Sequence, residues 1–132
     1  MKAGPLLETV LYADDIAAAQ RFYGGVLGLD LHRAVEGRFA FFRCGEQMLL
    51  IFNPAVTATQ SLADGPPPHG TQGAGHVCFR ASREEQAEWK AHLAAHGVAI
   101  EKEMTWPGGG HSLYFRDPAG NSVEFGEARI WT

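Results

Sequence analysis

Cysteine is nearly missing from this sequence: of 132 residues only Cys44 and Cys78 are cysteines. They stand far apart and form no CxxC pair, so neither a disulfide-stapled fold nor a thiolate zinc site is expected. Long apolar runs are missing too. No stretch approaches the ~20 apolar residues that a membrane-spanning helix needs, and the segment MKAGPLLETV holds no apolar signal core, so the chain reads as cytoplasmic with no membrane partner. Positive charge is scarce: 11 Lys and Arg against 15 Asp and Glu leave a formal net charge of -4 and no basic stripe. That argues against a nucleic-acid partner, whose phosphates are held by clustered Lys and Arg. The glycine run 108–110 lacks the G-x-x-x-x-G-K-[ST] spacing and is no phosphate loop.

What is present is a globular composition, 45% hydrophobic, in a chain long enough to bury roughly two-thirds of its unfolded surface. Such a chain needs no metal to fold, so a bound metal would serve chemistry. Leu6 to Tyr12 is rich in strand formers and runs into Asp14-Asp15, where a helix cap is expected. From Asp15 to Gly28 the residues Ile16, Ala19, Phe22, Tyr23, Val26 and Leu27 recur at three- and four-residue intervals, which predicts an amphipathic helix stopped by Gly28. Strands follow over Leu29 to Val35, Arg38 to Cys44 and Gln47 to Asn53, split by Glu36-Gly37 and Gly45-Glu46. Pro54 to Gly75, with Pro66-Pro67-Pro68, reads as a connector without regular structure.

The same order then recurs. A strand starts at His76, Ser82 and Glu85 form the S-x-x-E capping pattern of a helix ending at Gly97, and strands are expected over Val98 to Glu103, Ser112 to Arg116 and Ser122 to Phe125. Glu8 and His76 stand 68 positions apart, as do the caps Asp14 and Ser82. We therefore expect one α+β domain over residues 1–132, made of two βαβββ modules (about 5–53 and about 76–127) joined by a connector (about 54–75). Their curved mixed sheets would enclose a cleft for a small-molecule substrate.

Alternation along strands puts Glu8 on the uncovered face with Val10 and Tyr12, His76 with Cys78 and Arg80, and Glu124 with Ser122. A histidine and two carboxylates form a donor set suited to Zn, Ni, Mn or Fe(II), with positions left open for water or substrate. Each residue alone is equally a solvated or hydrogen-bonded side chain; their equivalent places in a repeat single them out. Arg80 could pair an anionic group and Tyr114 could donate a proton. His111, after the turn Trp106 to Gly110, could shuttle protons from a lid. His92 and His96 show i,i+4 spacing, but a histidine at a helix C-terminus is favoured without any metal.

The stretches E-T-V-L-Y-A-D-D-I, R-F-Y-G-G-V-L-G-L, G-H-V-C-F-R and Y-F-R-D-P-A-G-N-S-V-E-F together resemble the vicinal oxygen chelate superfamily of glyoxalase, bleomycin-resistance, fosfomycin-resistance and extradiol dioxygenase proteins. The resemblance covers essentially the whole chain. It implies paired βαβββ modules, frequently a homodimer, and a divalent metal held at positions that fall here on Glu8, His76, Leu49 and Glu124. Leu49 cannot ligate, which leaves three donors as in the fosfomycin and extradiol branches, although Glu8 stands where those branches usually have histidine. The resemblance implies lyase, isomerase, thiol transferase or dioxygenase chemistry, or else metal-free drug binding over Phe39, Phe41, Trp106 and Tyr114.

Overall fold

The computed structural model describes residues 1–59, 63 and 65–132. It divides into two compact units, Met1–Gly73 and Ala74–Thr132. Each is a four-stranded mixed sheet with one face packed under a helix.

In the first unit, β1 (Glu8–Tyr12), β2 (Asp30–Val35), β3 (Phe39–Cys44) and β4 (Gln47–Phe52) lie in the order β1-β4-β3-β2, with β1 parallel to β4 and the other pairs antiparallel. The side chains of Leu11, Ala40, Phe42, Leu49 and Ile51 are buried together with Ile16, Ala19, Phe22, Tyr23 and Leu27 of the helical segment. That segment caps on Asp15, whose carboxylate accepts from the Ala18 amide at 2.9 Å, one residue later than the repeat suggested.

The expected single helix is in fact α1 (Ile16–Gln20) followed by a π-helical turn, Arg21–Val26. The wider turn buries the adjacent rings of Phe22 and Tyr23 together, 5.1 Å apart and edge to face. It runs over Gly24, where a Cβ would stand only 3.4 Å from the Phe42 ring. The connector also differs from expectation. Asn53 caps a short helix, α2 (Pro54–Thr57), by accepting from the Ala55 amide, with Pro54 at the position where its missing N–H costs nothing. Later in the connector, His69 returns to the sheet, where its Nδ1 lies 2.6 Å from the Tyr12 hydroxyl.

In the second unit, β5 (His76–Arg80), β6 (Lys102–Thr105), β7 (His111–Arg116) and β8 (Ser122–Gly126) lie in the order β5-β8-β7-β6, with β5 parallel to β8. Helix α3 (Arg83–Ala95) starts with the capping box that the sequence predicts: Ser82 Oγ accepts from the Glu85 amide, and the Ser82 amide donates to the Glu85 carboxylate. It covers Leu113, Phe115, Val123 and Phe125, with Leu93 buried and Trp89 stacked on Phe125 at 4.5 Å. The sixth strand starts later than Val98, because the Val98 amide still closes onto the Leu93 carbonyl at the helix end.

One polar cluster fixes the start of this sheet. Asp117 Oδ1 accepts from the Ala119 and Asn121 amides, while Asn121 Nδ2 donates to Asp117 Oδ2 at 2.8 Å, across a turn in which Gly120 takes the left-handed conformation (φ +88). Asn121 Oδ1 then accepts from the Gly75 amide at 2.8 Å, which ties the β7–β8 turn to the residue before β5. Replacing Asn121 by Ala would leave the part-buried Gly75 amide without that acceptor. We expect Asn121→Ala to cost about 1–3 kcal/mol in denaturant unfolding; a loss below a few tenths would contradict this role.

Candidate functional site

The sheet pairing sets which side chains meet. His76 lies beside Ser122 and Cys78 beside Glu124 across β5 and β8, while Tyr114 lies beside Glu124 across β7 and β8. All five side chains therefore rise from the face that α3 does not cover. His76 Nδ1 lies 3.1 Å from the Ser122 carbonyl oxygen and 3.2 Å from its hydroxyl. A carbonyl oxygen only accepts, so in the tautomer that bonds to it Nδ1 carries the proton. Nε2 points at Glu124 Oε2 at 3.1 Å.

A neutral imidazole held this way aims a lone pair at an ionised carboxylate. A cation between the two, a second imidazole proton or a metal, would satisfy both atoms, as would the opposite tautomer, with Nε2–H donating to Glu124 and Nδ1 accepting from the Ser122 hydroxyl at 3.2 Å. Glu124 is itself 5% exposed, and its Oε1 has no hydrogen-bond partner among the described residues. A buried carboxylate oxygen without a partner is costly unless a cation reaches it. Ligand bonds of ~2.0–2.2 Å put donor atoms about 3.0 Å apart at the right angle of an octahedral ion and about 3.4 Å apart at the tetrahedral angle, and the His76–Glu124 separation of 3.1 Å lies between the two. The pair thus fits a divalent cation.

The space above Glu124 is kept by Gly126. A Cβ there would stand 3.0 Å from Cys78 Sγ and 3.3 Å from Glu124 Oε1. Burial, and then the Glu124 carboxylate, push the Cys78 thiol up to about 12. The residue as a whole is exposed, so the effect comes from the packing of Sγ against Gly126 and Glu124. The same two causes in the same order raise the Tyr114 hydroxyl above its ordinary range, so it holds its proton at neutral pH. Its ring lies along His76 with centroids 6.4 Å apart. Beyond Tyr114 an open pocket of about 470 Å³ reaches Ser122 and is rimmed by the Arg116–Glu101 ion pair.

Of the residues singled out from sequence, His76, Glu124 and Tyr114 meet here. Arg80 ends β5 on the same face, exposed and without an ion-pair partner among the described residues. Glu8 lies in the first unit, exposed at the start of β1. Among the described residues, no group of three or more His, Cys, Asp or Glu side chains is arranged to hold a metal ion.

His111 does not reach this site. It is buried on the face covered by α3, with Nε2 3.4 Å from Glu103, Nδ1 3.3 Å from Thr105, and its amide donating to Glu127 at 2.6 Å. The turn before it is packed as well, for a Cβ on Gly110 would fall 2.6 Å from Ile130. Cys78, Ser122 and Gly126 have places in the site that sequence reasoning gave no role; their signal was the two-residue spacing from His76 and Glu124.

Leu49 also moves. It pairs with Thr9 and lies in the core beneath the helical segment, 2% exposed. The partner of Val10, as Glu124 is the partner of Cys78, is Leu50. The fourth ligand position therefore falls on Leu50, which equally cannot ligate. On the open face of the first unit stand Phe39 and Phe41, stacked at 4.2 Å, with Phe52 edge-on to Phe41 at 5.2 Å.

Two βαβββ units with a histidine and a buried glutamate on the open face of the second define a glyoxalase-type fold. The chain matches the family model of the Glyoxalase/Bleomycin resistance protein/Dioxygenase superfamily over residues 6–125, and it belongs to that superfamily. Among solved structures it is similar to a lactoylglutathione lyase from Agrobacterium tumefaciens, with 44% identity, 98% of each chain covered and a TM-score of 0.93. It is similar to an integron cassette protein of V. cholerae (26% identity, 97% and 98% covered, TM-score 0.73). A virulence protein from Salmonella typhimurium (24% identity, 96% and 98% covered, TM-score 0.72) shares the fold. None of the curated proteins is a match. No described helix is long and apolar enough to cross a membrane.

The raised Cys78 thiol gives a direct check. In metal-free protein at pH 8 its alkylation, followed by mass spectrometry, should be far slower than that of a free thiol, since only the thiolate reacts. Glu124→Gln removes one of the two main causes and should speed it. A wild-type rate equal to that of a free thiol, or no change in the variant, would contradict this environment.

Proposed function

We propose that this protein is a divalent-metal-dependent enzyme acting on a small substrate bound through oxygen atoms. The observation that carries the reading is the facing of His76 Nε2 and Glu124 Oε2 at 3.1 Å, with Oε1 of the same buried carboxylate unpartnered among the described residues. His76 and Glu124 would hold the ion. Glu8, which has the place in the first unit that His76 has in the second, is assigned as the third donor. A homodimer in which one chain offers Glu8 to a second copy's pair would account for the absence of a three-donor group among the described residues of one chain. When bound, Zn, Ni, Mn or Fe(II) would act as a Lewis acid that stabilises developing negative charge on a substrate oxygen.

The other steps belong to side chains of this chain. The Ser122 carbonyl holds the His76 tautomer and ring orientation. Tyr114, protonated at neutral pH and beside Glu124, supplies a hydrogen-bond donor and a proton where charge develops. Arg80, exposed at the end of β5, pairs an anionic part of the substrate. Among reactions, the likeness to the lyase from Agrobacterium tumefaciens favours rearrangement of a glutathione hemithioacetal. Leu50 in the fourth ligand position argues for open coordination and keeps thiol transfer to epoxides and dioxygenation of catechols in the test panel.

A second reading has its own observation. The part-exposed rings of Phe39, Phe41 and Phe52 form an aromatic surface suited to a flat or cationic drug, so a binding protein without catalysis is the alternative.

Protein purified without chelators should carry close to one Zn, Ni, Mn or Fe per chain. His76→Ala and Glu124→Gln should each lower metal affinity by at least about 100-fold, with the metal-free proteins still folded by circular dichroism. Turnover of the hemithioacetal, an epoxide antibiotic and a catechol should fall with the metal. No metal uptake on titration, with a drug bound equally by wild type and His76→Ala, would overturn the enzyme in favour of the binding protein. A monomer at all concentrations in sedimentation would remove the shared site.

A further inference from the structure

Helix α3 carries metal-ligand side chains on its solvent side, across the sheet from the His76–Glu124 pair. His92 and His96 are both exposed, one turn apart, with ring centroids 4.3 Å apart and planes tilted by 35°. Spacing alone does not separate a chelating pair from a histidine that favours a helix end. The hydrogen bonding fixes which ring nitrogen of His96 is available. His96 Nδ1 lies 2.8 Å from the His92 carbonyl oxygen, which can only accept, so Nδ1 carries the proton and Nε2 keeps its lone pair for a ligand. A backbone carbonyl on the other ring nitrogen orients metal-binding imidazoles in the same way, and the same bond satisfies one of the last carbonyls of the helix.

The surroundings favour a cation. The pair sits in the last turn, where unpaired carbonyls give the helix its negative end. Glu88, one turn before His92, and Glu85, two turns before it, line an open pocket of about 440 Å³ together with Trp89 and His92. Exposure removes the desolvation penalty that a buried charge would meet, and water can fill the coordination positions that two protein donors leave open.

We propose that His92 and His96 form a second, two-donor metal site for a late first-row divalent cation such as Cu(II), Ni(II) or Zn(II). Imidazole donors select these ions over Mg(II) and Ca(II), which require oxygen ligands. The site is independent of the one assigned to catalysis.

Trp89 provides the readout, because its ring lies 5.2 Å from His92 and a bound paramagnetic ion quenches its fluorescence. Titration with Cu(II) should give saturable quenching, relieved by an excess of diamagnetic Zn(II) and unaffected by Mg(II). The His76→Ala/Glu124→Gln variant should keep the same midpoint. His96→Gln should weaken binding on the order of 100-fold, since the second imidazole of a chelate acts at high effective concentration. His92→Gln/His96→Gln should abolish saturable quenching while the helix signal in circular dichroism is kept. Equal quenching in the double histidine variant, loss of quenching in His76→Ala/Glu124→Gln, or linear unsaturable quenching in every variant would overturn the site.

Discussion

The parallel pairing of β5 with β8 is the constraint on which the candidate site depends. Its register is pinned by a single buried turn, in which Asp117 organises the backbone and Asn121 reaches across to the Gly75 amide. Because of that tie, His76 lies beside Ser122 and Cys78 beside Glu124. A slip of one residue would turn Glu124 into the hydrophobic layer under α3 and bring Val123 or Phe125 onto the open face. The geometry of the candidate site therefore begins with an Asn side chain that lies outside it.

The two units show how one scaffold is filled in two ways. Glu8, Val10, Phe41 and Leu50 of the first hold the places of His76, Cys78, Tyr114 and Glu124 in the second. The first unit thus presents aromatic and aliphatic side chains where the second presents a thiol, a phenol and a carboxylate. Removing Glu124 from water is costly, and the structure offsets that cost through His76 on one oxygen while leaving the other unpartnered. A polar group kept at such a penalty, beside a glycine that leaves space above it, sets the second unit apart from the first and is the ground for placing the proposed chemistry there. The first unit's open face is suited instead to contact with flat or apolar surfaces.

The sheet's other face has a structural polar layer of its own. Gln86 donates to the Ala81 and His111 carbonyls, and His111 joins Glu103, Thr105 and Glu127. These contacts hold α3 and the β6–β7 hairpin on the sheet. A histidine near a glycine-rich turn looks mobile in sequence; here it is buried.

The sequence by itself determined the fold: alternation along strands, the Ser82 capping box, the glycine stops and the recurrence of one pattern were enough for two βαβββ units, because these signals act over a few residues. It also determined that His76, Cys78 and Arg80 share a face and that Glu124 shares one with Ser122. Only the tertiary structure decided what depends on register between distant strands. Leu49 faces the helical segment and Leu50 the opposite side of the sheet because of the β1–β4 pairing, and His111 turns toward α3 because it continues the alternation of Leu113 and Phe115. The π turn over Arg21–Val26 depends on how Phe22 and Tyr23 pack, and the short helix after Asn53 on a cap outweighing a proline-rich composition. In a strand a shift of one residue reverses the face, so local pattern names the candidates and long-range pairing chooses among them.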